Sequence, residues 1–192
     1  MNTDQDLKRA FHMPKARNIT FRTSTITNAF VAAITPFVPP KPSEIGEVLN
    51  ILGIDPDRLT CAYCGDPESE WEHLHALVRK RRPSDYPSSI RNLVPSCGKC
   101  NQSKSGEKWS DWIISNAKLS PKSRKKPNLE DRIVRLKKYE QWANCRPMNL
   151  EGAIGKELYD EYFRKLDSII EQMREAEIMA KSIKAKVPKD GS

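Results

Sequence analysis

The chain has 192 residues, 38% hydrophobic and 30% charged, with a net charge of +8. That length suits one ordinary domain, or a small domain with helical attachments, and the composition excludes a disordered chain. The longest apolar runs, such as "AFVAAI" at 29–34, are far too short to span a bilayer, and the N-terminus has no apolar signal core. The expectation is a soluble, cytoplasmic protein with no membrane partner.

Residues 1–18 read as a flexible basic-polar lead, in which His12 has no part in the chemistry. Residues 18–38 are rich in β-branched side chains, and "STITNAFVAAI" is open to two readings. One is a strand pair, the other a short helix capped by Ser24 or Thr25. Pro39, Pro40 and Pro42 make a stiff connector to a helix with Ser43 as its N-cap. Ile45, Val48, Leu49 and Leu52 share one face of that helix and Gly53 stops it. "WEHLHALV" reads as a short strand with one buried face, and the stretch opening at Asn101, "NQSKSGEKWSDW", as a helix.

"KWSDWIISNA" (108–117) reads as a further helix, followed by a Lys/Ser/Pro linker at 118–127. Residues 128–145 open on Asn128 as a cap and carry Ile133, Leu136 and Tyr139 at helical spacing. A last long helix, about 150–184, bears a stripe of Ile154, Leu158, Tyr162, Leu166, Ile170, Met173 and Ile178. Such a stripe packs on the parent domain or makes a homodimer. Trp109, Trp112 and Trp142 read as core residues.

The positive charge is concentrated. Residues 76–126 hold 13 Lys/Arg against 3 Asp/Glu, whereas residues 61–75 hold none against 4. A basic block of that density points to a polyanion.

Four of the five cysteines form two pairs, Cys61/Cys64 in "CAYCG" and Cys97/Cys100 in "CGKCN". Two Cys-x-x-Cys knuckles this far apart fit a four-thiolate tetrahedral zinc site better than two redox dithiols in a reducing compartment. Gly65 and Gly98 relieve backbone crowding at the knuckles. A closed sulfur shell leaves no position for water or substrate, so the zinc is structural and staples two chain segments together. Cys145 stands alone. The histidines are then left for other work.

Between and after the knuckles stand Glu72-His73, "IRNLVPSC" around Asn92, and Cys97-x-x-Cys100-Asn101-x-x-Lys104. This set, over about residues 58–112, resembles the HNH, or ββα-metal, endonucleases in the branch with a four-cysteine zinc site. The resemblance implies an α+β fold: a small zinc-stapled ββα-metal core with an N-terminal segment and C-terminal helices. The divisions are 1–57 (a segment with a short helix and DNA contacts), 58–117 (the nuclease domain), 118–127 (basic linker) and 128–192 (helical region).

By the same resemblance, Glu72 and Asn101 would hold one divalent metal, Mg²⁺ or Mn²⁺, and His73 would be the general base. Asn92 would pin the histidine-bearing loop, and Lys104 would bind phosphate. Oxygen donors suit such hard cations, and an imidazole of ordinary pKa is mostly neutral near pH 7. Glu72 stands where Asp is more frequent in the family, and Ala76 where proline is. Three roles are open to His75: third metal ligand, phosphate contact or bystander. Arg79, Lys80, Arg81, Arg82 and Arg91 are the expected contacts to double-stranded DNA.

The expected function is a metal-dependent DNA endonuclease of restriction or anti-phage type. Two alternatives are carried with it: the nuclease subunit of a multi-protein defence system, and a non-catalytic zinc module that only binds DNA.

Overall fold

The computed structural model describes residues 16–188, together with residues 4, 9–11 and 14; most of the 1–18 lead, His12 included, lies outside the described residues. A 3-10 turn, Ile19–Arg22, runs into helix α1, Thr23–Ile34. The helical reading of this stretch prevails over the strand pair because Ile26, Phe30 and Ile34 recur every four residues and line one face. Ser24 and Thr25 do not cap it; they lie inside the helix. The Glu177 carboxylate, far along the chain, instead accepts the N–H groups of Ile19 and Thr20.

Strand β1, Phe37–Val38, leads to helix α2, Pro42–Leu52. Pro42 takes the first helical position, where its missing N–H costs nothing, so Lys41 rather than Ser43 occupies the N-cap. The Glu44 carboxylate accepts the Lys41 N–H at 2.9 Å, and Gly53 (φ 62°) ends the helix.

Five short strands follow: β2 (Glu70–His73), β3 (Val78–Arg79), β4 (Arg82–Pro83), β5 (Ser88–Ser89) and β6 (Leu93–Ser96). β2 pairs antiparallel with β6, setting Glu72 opposite Val94 and His73 opposite Leu93. β3 and β4 form a tight hairpin, and β1 pairs parallel with β5. Then come α3 (Gly98–Lys104), α4 (Trp109–Trp112), α5 (Leu129–Ala143), α6 (Leu150–Ile154) and α7 (Lys156–Lys186). The fold is α+β, and β2, β6 and α3 make its small ββα unit.

Two apolar cores hold these elements. The first gathers Val48, Tyr63, Leu74, Trp109, Trp112, Leu136 and Tyr139 around the ββα unit; Trp109 and Trp112 are core residues, as expected, and Trp142 packs against them. Burying each large apolar side chain contributes about 1.5–3 kcal/mol. The second core joins Val31 of α1 to Phe163, Leu166 and Ile170 of α7, over Leu77 and Val78.

The apolar stripe of the last helix differs from expectation. Gly155, at φ 91°, separates α6 from α7, and within α7 Leu158 and Ile178 are 60% and 65% exposed. The buried line runs through Phe163, Leu166 and Ile170 and meets α1 within the same chain, which leaves a homodimer through this face without support. Residues 118–127 are not an open spacer: Ser120 and Pro121 are buried, and Arg124 and Lys126 both bind Asp66 beside the first knuckle. Among the described residues no helix is long and apolar enough to cross a membrane.

Candidate active site

The two knuckles converge. The sulfurs of Cys61, Cys64, Cys97 and Cys100 all lie within 4.8 Å of one another, and all four residues are buried. A tetrahedron of Zn–S bonds of about 2.3 Å needs sulfurs about 3.8 Å apart, and Cys64 Sγ lies 3.6 Å from Cys97 Sγ. The donor set and spacing fit Zn²⁺. Gly65 turns the first knuckle at φ 78°, in a space where a Cβ would strike the Arg132 guanidinium. Gly98 needs no such freedom; it opens α3. Cys97 starts α3 and its carbonyl accepts the N–H groups of Cys100 and Asn101, so the knuckle fixes where Asn101 stands. The Ala62 N–H donates to Pro95 O at 2.8 Å and locks the first knuckle onto β6. Cys145 stands apart, half-buried.

Beside this centre is a cleft of about 650 Å³ lined by Glu72, His73 and Asn101. Neighbours on a strand face opposite ways, but β2 ends at His73, which frees both side chains to reach one cleft. The bend after β2 is held by Asn92, which is 0% exposed. Its Oδ1 accepts the His75 N–H at 2.8 Å, and its Nδ2 donates to His75 O at 3.0 Å and Pro87 O at 3.2 Å. His73 Nε2 lies 2.9 Å from Ser88 Oγ. With the proton on Nε2 donated to that hydroxyl, Nδ1 carries the free lone pair.

Charge is arranged in pairs. Lys104 is 0% exposed and its Nζ sits 2.9 Å from Glu72 Oε1. Glu72 Oε2 and the hydroxyl of Tyr63 are both buried; they are polar neighbours, and neither makes a hydrogen bond of good geometry. Burial pushes the Glu72 carboxyl up to about 7, against the attraction of Lys104. Burial, and then the Lys104 charge, draws His73 down to about 4. The histidine is therefore neutral at pH 7, as a proton acceptor must be. Glu72 and Asn101 line one cleft, and a carboxylate with an amide oxygen is a donor set that fits a hard divalent cation.

The remaining expected residues divide. His75 does not line this cleft: it stacks on Tyr86 at 4.3 Å and its Nε2 lies 3.6 Å from Glu140 Oε1 on α5. Lys104, expected to bind phosphate, is buried beneath Glu72. Arg82 binds Asp167 of α7 through both its terminal nitrogens, at 2.6 and 3.3 Å, and lies 5.0 Å over the Phe163 ring. Arg91 donates to Trp142 O and Ala143 O at the end of α5 and stacks on Trp142. These three cations face protein partners, since each sits where a carboxylate or helix end needs a donor. Arg79, Lys80 and Arg81 are exposed, with no side-chain partner among the described residues, and Arg81 lines the cleft. Lys80 and Arg81 form the hairpin tip at φ 48° and 63°, a left-handed pair that closes a two-residue turn.

Sequence reasoning missed the opposite wall. Thr23, Ser24, Thr27 and Asn28 of α1 line the cleft across from the Glu72–His73 pair. Their signal was the polar face of a helix whose apolar face packs on α7. No motif marks them.

Residues 61–107, about a quarter of the chain, match the family described as HNH endonuclease. No curated protein and no solved structure matches the chain.

Proposed function

We propose that the HNH domain at residues 61–107 hydrolyses phosphodiester bonds of double-stranded DNA with a divalent metal. The observation that carries this reading is the meeting of Glu72, His73 and Asn101 in one cleft. A module that only binds DNA has no need of that set.

Glu72 and Asn101 would hold Mg²⁺ or Mn²⁺, which supplies Lewis-acid stabilisation of the charge that develops on phosphate. Asn92 keeps the turn after β2 in place and Ser88 orients the imidazole, leaving one ring nitrogen to take a proton from water. The water oxygen attacks phosphorus, the bond to the 3′ oxygen breaks and that oxygen takes up a proton from solvent, while His73 returns its proton to solvent. The ends are 5′-phosphate and 3′-hydroxyl. Lys104 holds Glu72 in its buried position, and Arg79, Lys80 and Arg81 meet the phosphate backbone. We place this activity in restriction or defence against phage, alone or as the nuclease subunit of a larger assembly.

The test is digestion of methylated and unmethylated supercoiled plasmid with Mg²⁺ or Mn²⁺ and with EDTA, followed by sequencing of the ends. Metal-dependent nicking or cutting with 5′-phosphate ends is expected. DNA binding without cleavage under every metal would leave only the binding module or the partner-dependent subunit.

A further inference from the structure

Four thiolates around one Zn²⁺ carry a net charge of −2, and here the sulfurs are buried, where water screens little of it. Arg124 supplies the one guanidinium or ammonium nitrogen within hydrogen-bonding distance of a cysteine sulfur among the described residues. It lies outside the matched segment 61–107, in the turns at 118–127. Its Nη2 is 2.8 Å from Cys100 Sγ, its Nη1 3.0 Å from Asp66 Oδ2, and its Nε donates to Leu119 O at 3.0 Å. Asp66 follows the first knuckle directly and also accepts from Lys126. The guanidinium therefore bridges the second knuckle's last sulfur to the first knuckle's flank, with all three kinds of its nitrogen engaged.

We infer that Arg124 is a positioning residue of the zinc site, offsetting the thiolate charge and bracing the two knuckles against release of the metal. The reasoning depends on the cysteine cluster alone and holds whether or not the neighbouring cleft cuts DNA. A charge-assisted N–H···S bond offsets part of the thiolate charge at Cys100 and ties that sulfur, through one rigid group, to Asp66 and Leu119. The planar fork explains the choice of arginine: its donors sit on three separate nitrogens and reach three acceptors that lie apart, whereas an ammonium's three donors share one atom. The turns at 118–127 are thus part of the metal centre, and their basic character belongs in part to zinc rather than to DNA.

The full chain, loaded with zinc, is challenged with a chromophoric zinc chelator at neutral pH. Arg124→Gln should weaken zinc binding by about 10–100-fold, the usual effect of losing an outer partner of a metal ligand, and should speed zinc transfer. Arg124→Lys keeps the charge without the fork and should fall between. Lys122→Gln, an exposed neighbour, should match the parent. In the cobalt-substituted protein the thiolate-to-cobalt charge-transfer band should move in both Arg124 variants and not in Lys122→Gln, a signature that mere loosening of the turn would not give. Should Arg124→Gln fail to fold, the Arg124→Lys spectrum decides. An unmoved cobalt band, or zinc affinity within about twofold of the parent in Arg124→Gln, overturns the assignment.

Discussion

Asn92→Ala removes three hydrogen bonds from a side chain that is 0% exposed: one accepted from His75 N–H, and two donated to His75 O and Pro87 O. Each bond contributes about 0.5–1.5 kcal/mol net, and orphaned backbone groups add to the loss, so about 2–4 kcal/mol of stability should disappear. That is a large share of the roughly 5–15 kcal/mol a domain of this kind possesses. His73 lies two residues before the clamped peptide, and misplacing a reacting group by about 1 Å can cost about a hundredfold in rate. Asn92→Asp is the sharper variant. It keeps the acceptor for His75 N–H but turns a second lone pair toward two carbonyl oxygens, so it should be at least as damaging as Ala at pH 7. Its new carboxyl would have a raised pKa in the folded chain, so its stability should recover as the pH falls and protonation restores one donor. Urea unfolding across pH reads the first quantity, and plasmid cleavage under folded conditions the second. An Asn92→Asp protein as stable as the parent at pH 7 would refute the hydrogen-bond assignment.

Other outcomes follow from the charges and the cysteines. Glu72 is pushed up to about 7, so protons compete with the divalent metal below that pH; Mn²⁺ affinity, measured calorimetrically, should fall as the pH drops from 7 toward 5. His73, drawn down to about 4, should stay neutral over that range, so the acid limb of cleavage should follow Glu72. The linkage to folding has opposite signs: metal-free, falling pH costs stability at His73 between its unfolded value near 6.5 and about 4. It restores stability at Glu72 between about 7 and its unfolded value near 4.5, so urea midpoints should change little across pH 5–6. Cys97→Ser, or zinc removal by chelator, should unfold the ββα unit and take the circular dichroism of its strands and α3 with it. Lys80→Ala with Arg81→Ala should weaken DNA binding and flatten its salt dependence by roughly one unit of log–log slope per lost phosphate contact, with the melting temperature unchanged. Arg82→Ala should act chiefly on stability, because it breaks the tie to Asp167 and Phe163.

The parts legible in the sequence were those fixed by local chemistry. Two Cys-x-x-Cys turns announce a thiolate cluster whatever surrounds them, and Gly53 ends its helix because few other residues accept that backbone conformation. The Glu72-His73 pair was legible as a dyad, and its ability to share a cleft rests on β2 ending at His73. What stayed hidden depends on distant partners. Nothing in "KSRKKP" tells that Arg124 reaches a sulfur while its neighbour Lys122 reaches solvent. Lys104, Arg82 and Arg91 look alike as cations in a basic block, yet a carboxylate, an aromatic face or a helix end claims each one. The stripe of α7 was misread because steps of four residues drift about 40° each around a helix, whereas the buried line Phe163, Leu166, Ile170 alternates steps of three and four. Ser24 and Asn28 enter the cleft only because α1 packs on a helix some 140 residues away.

The decisive measurement is the rate of Mg²⁺- or Mn²⁺-dependent plasmid cleavage by His73→Ala against the parent, at equal zinc content and equal DNA affinity. Loss of cleavage with both controls preserved is the predicted result. A His73→Ala protein that cuts as fast as the parent would contradict the assignment of this cleft as the catalytic centre.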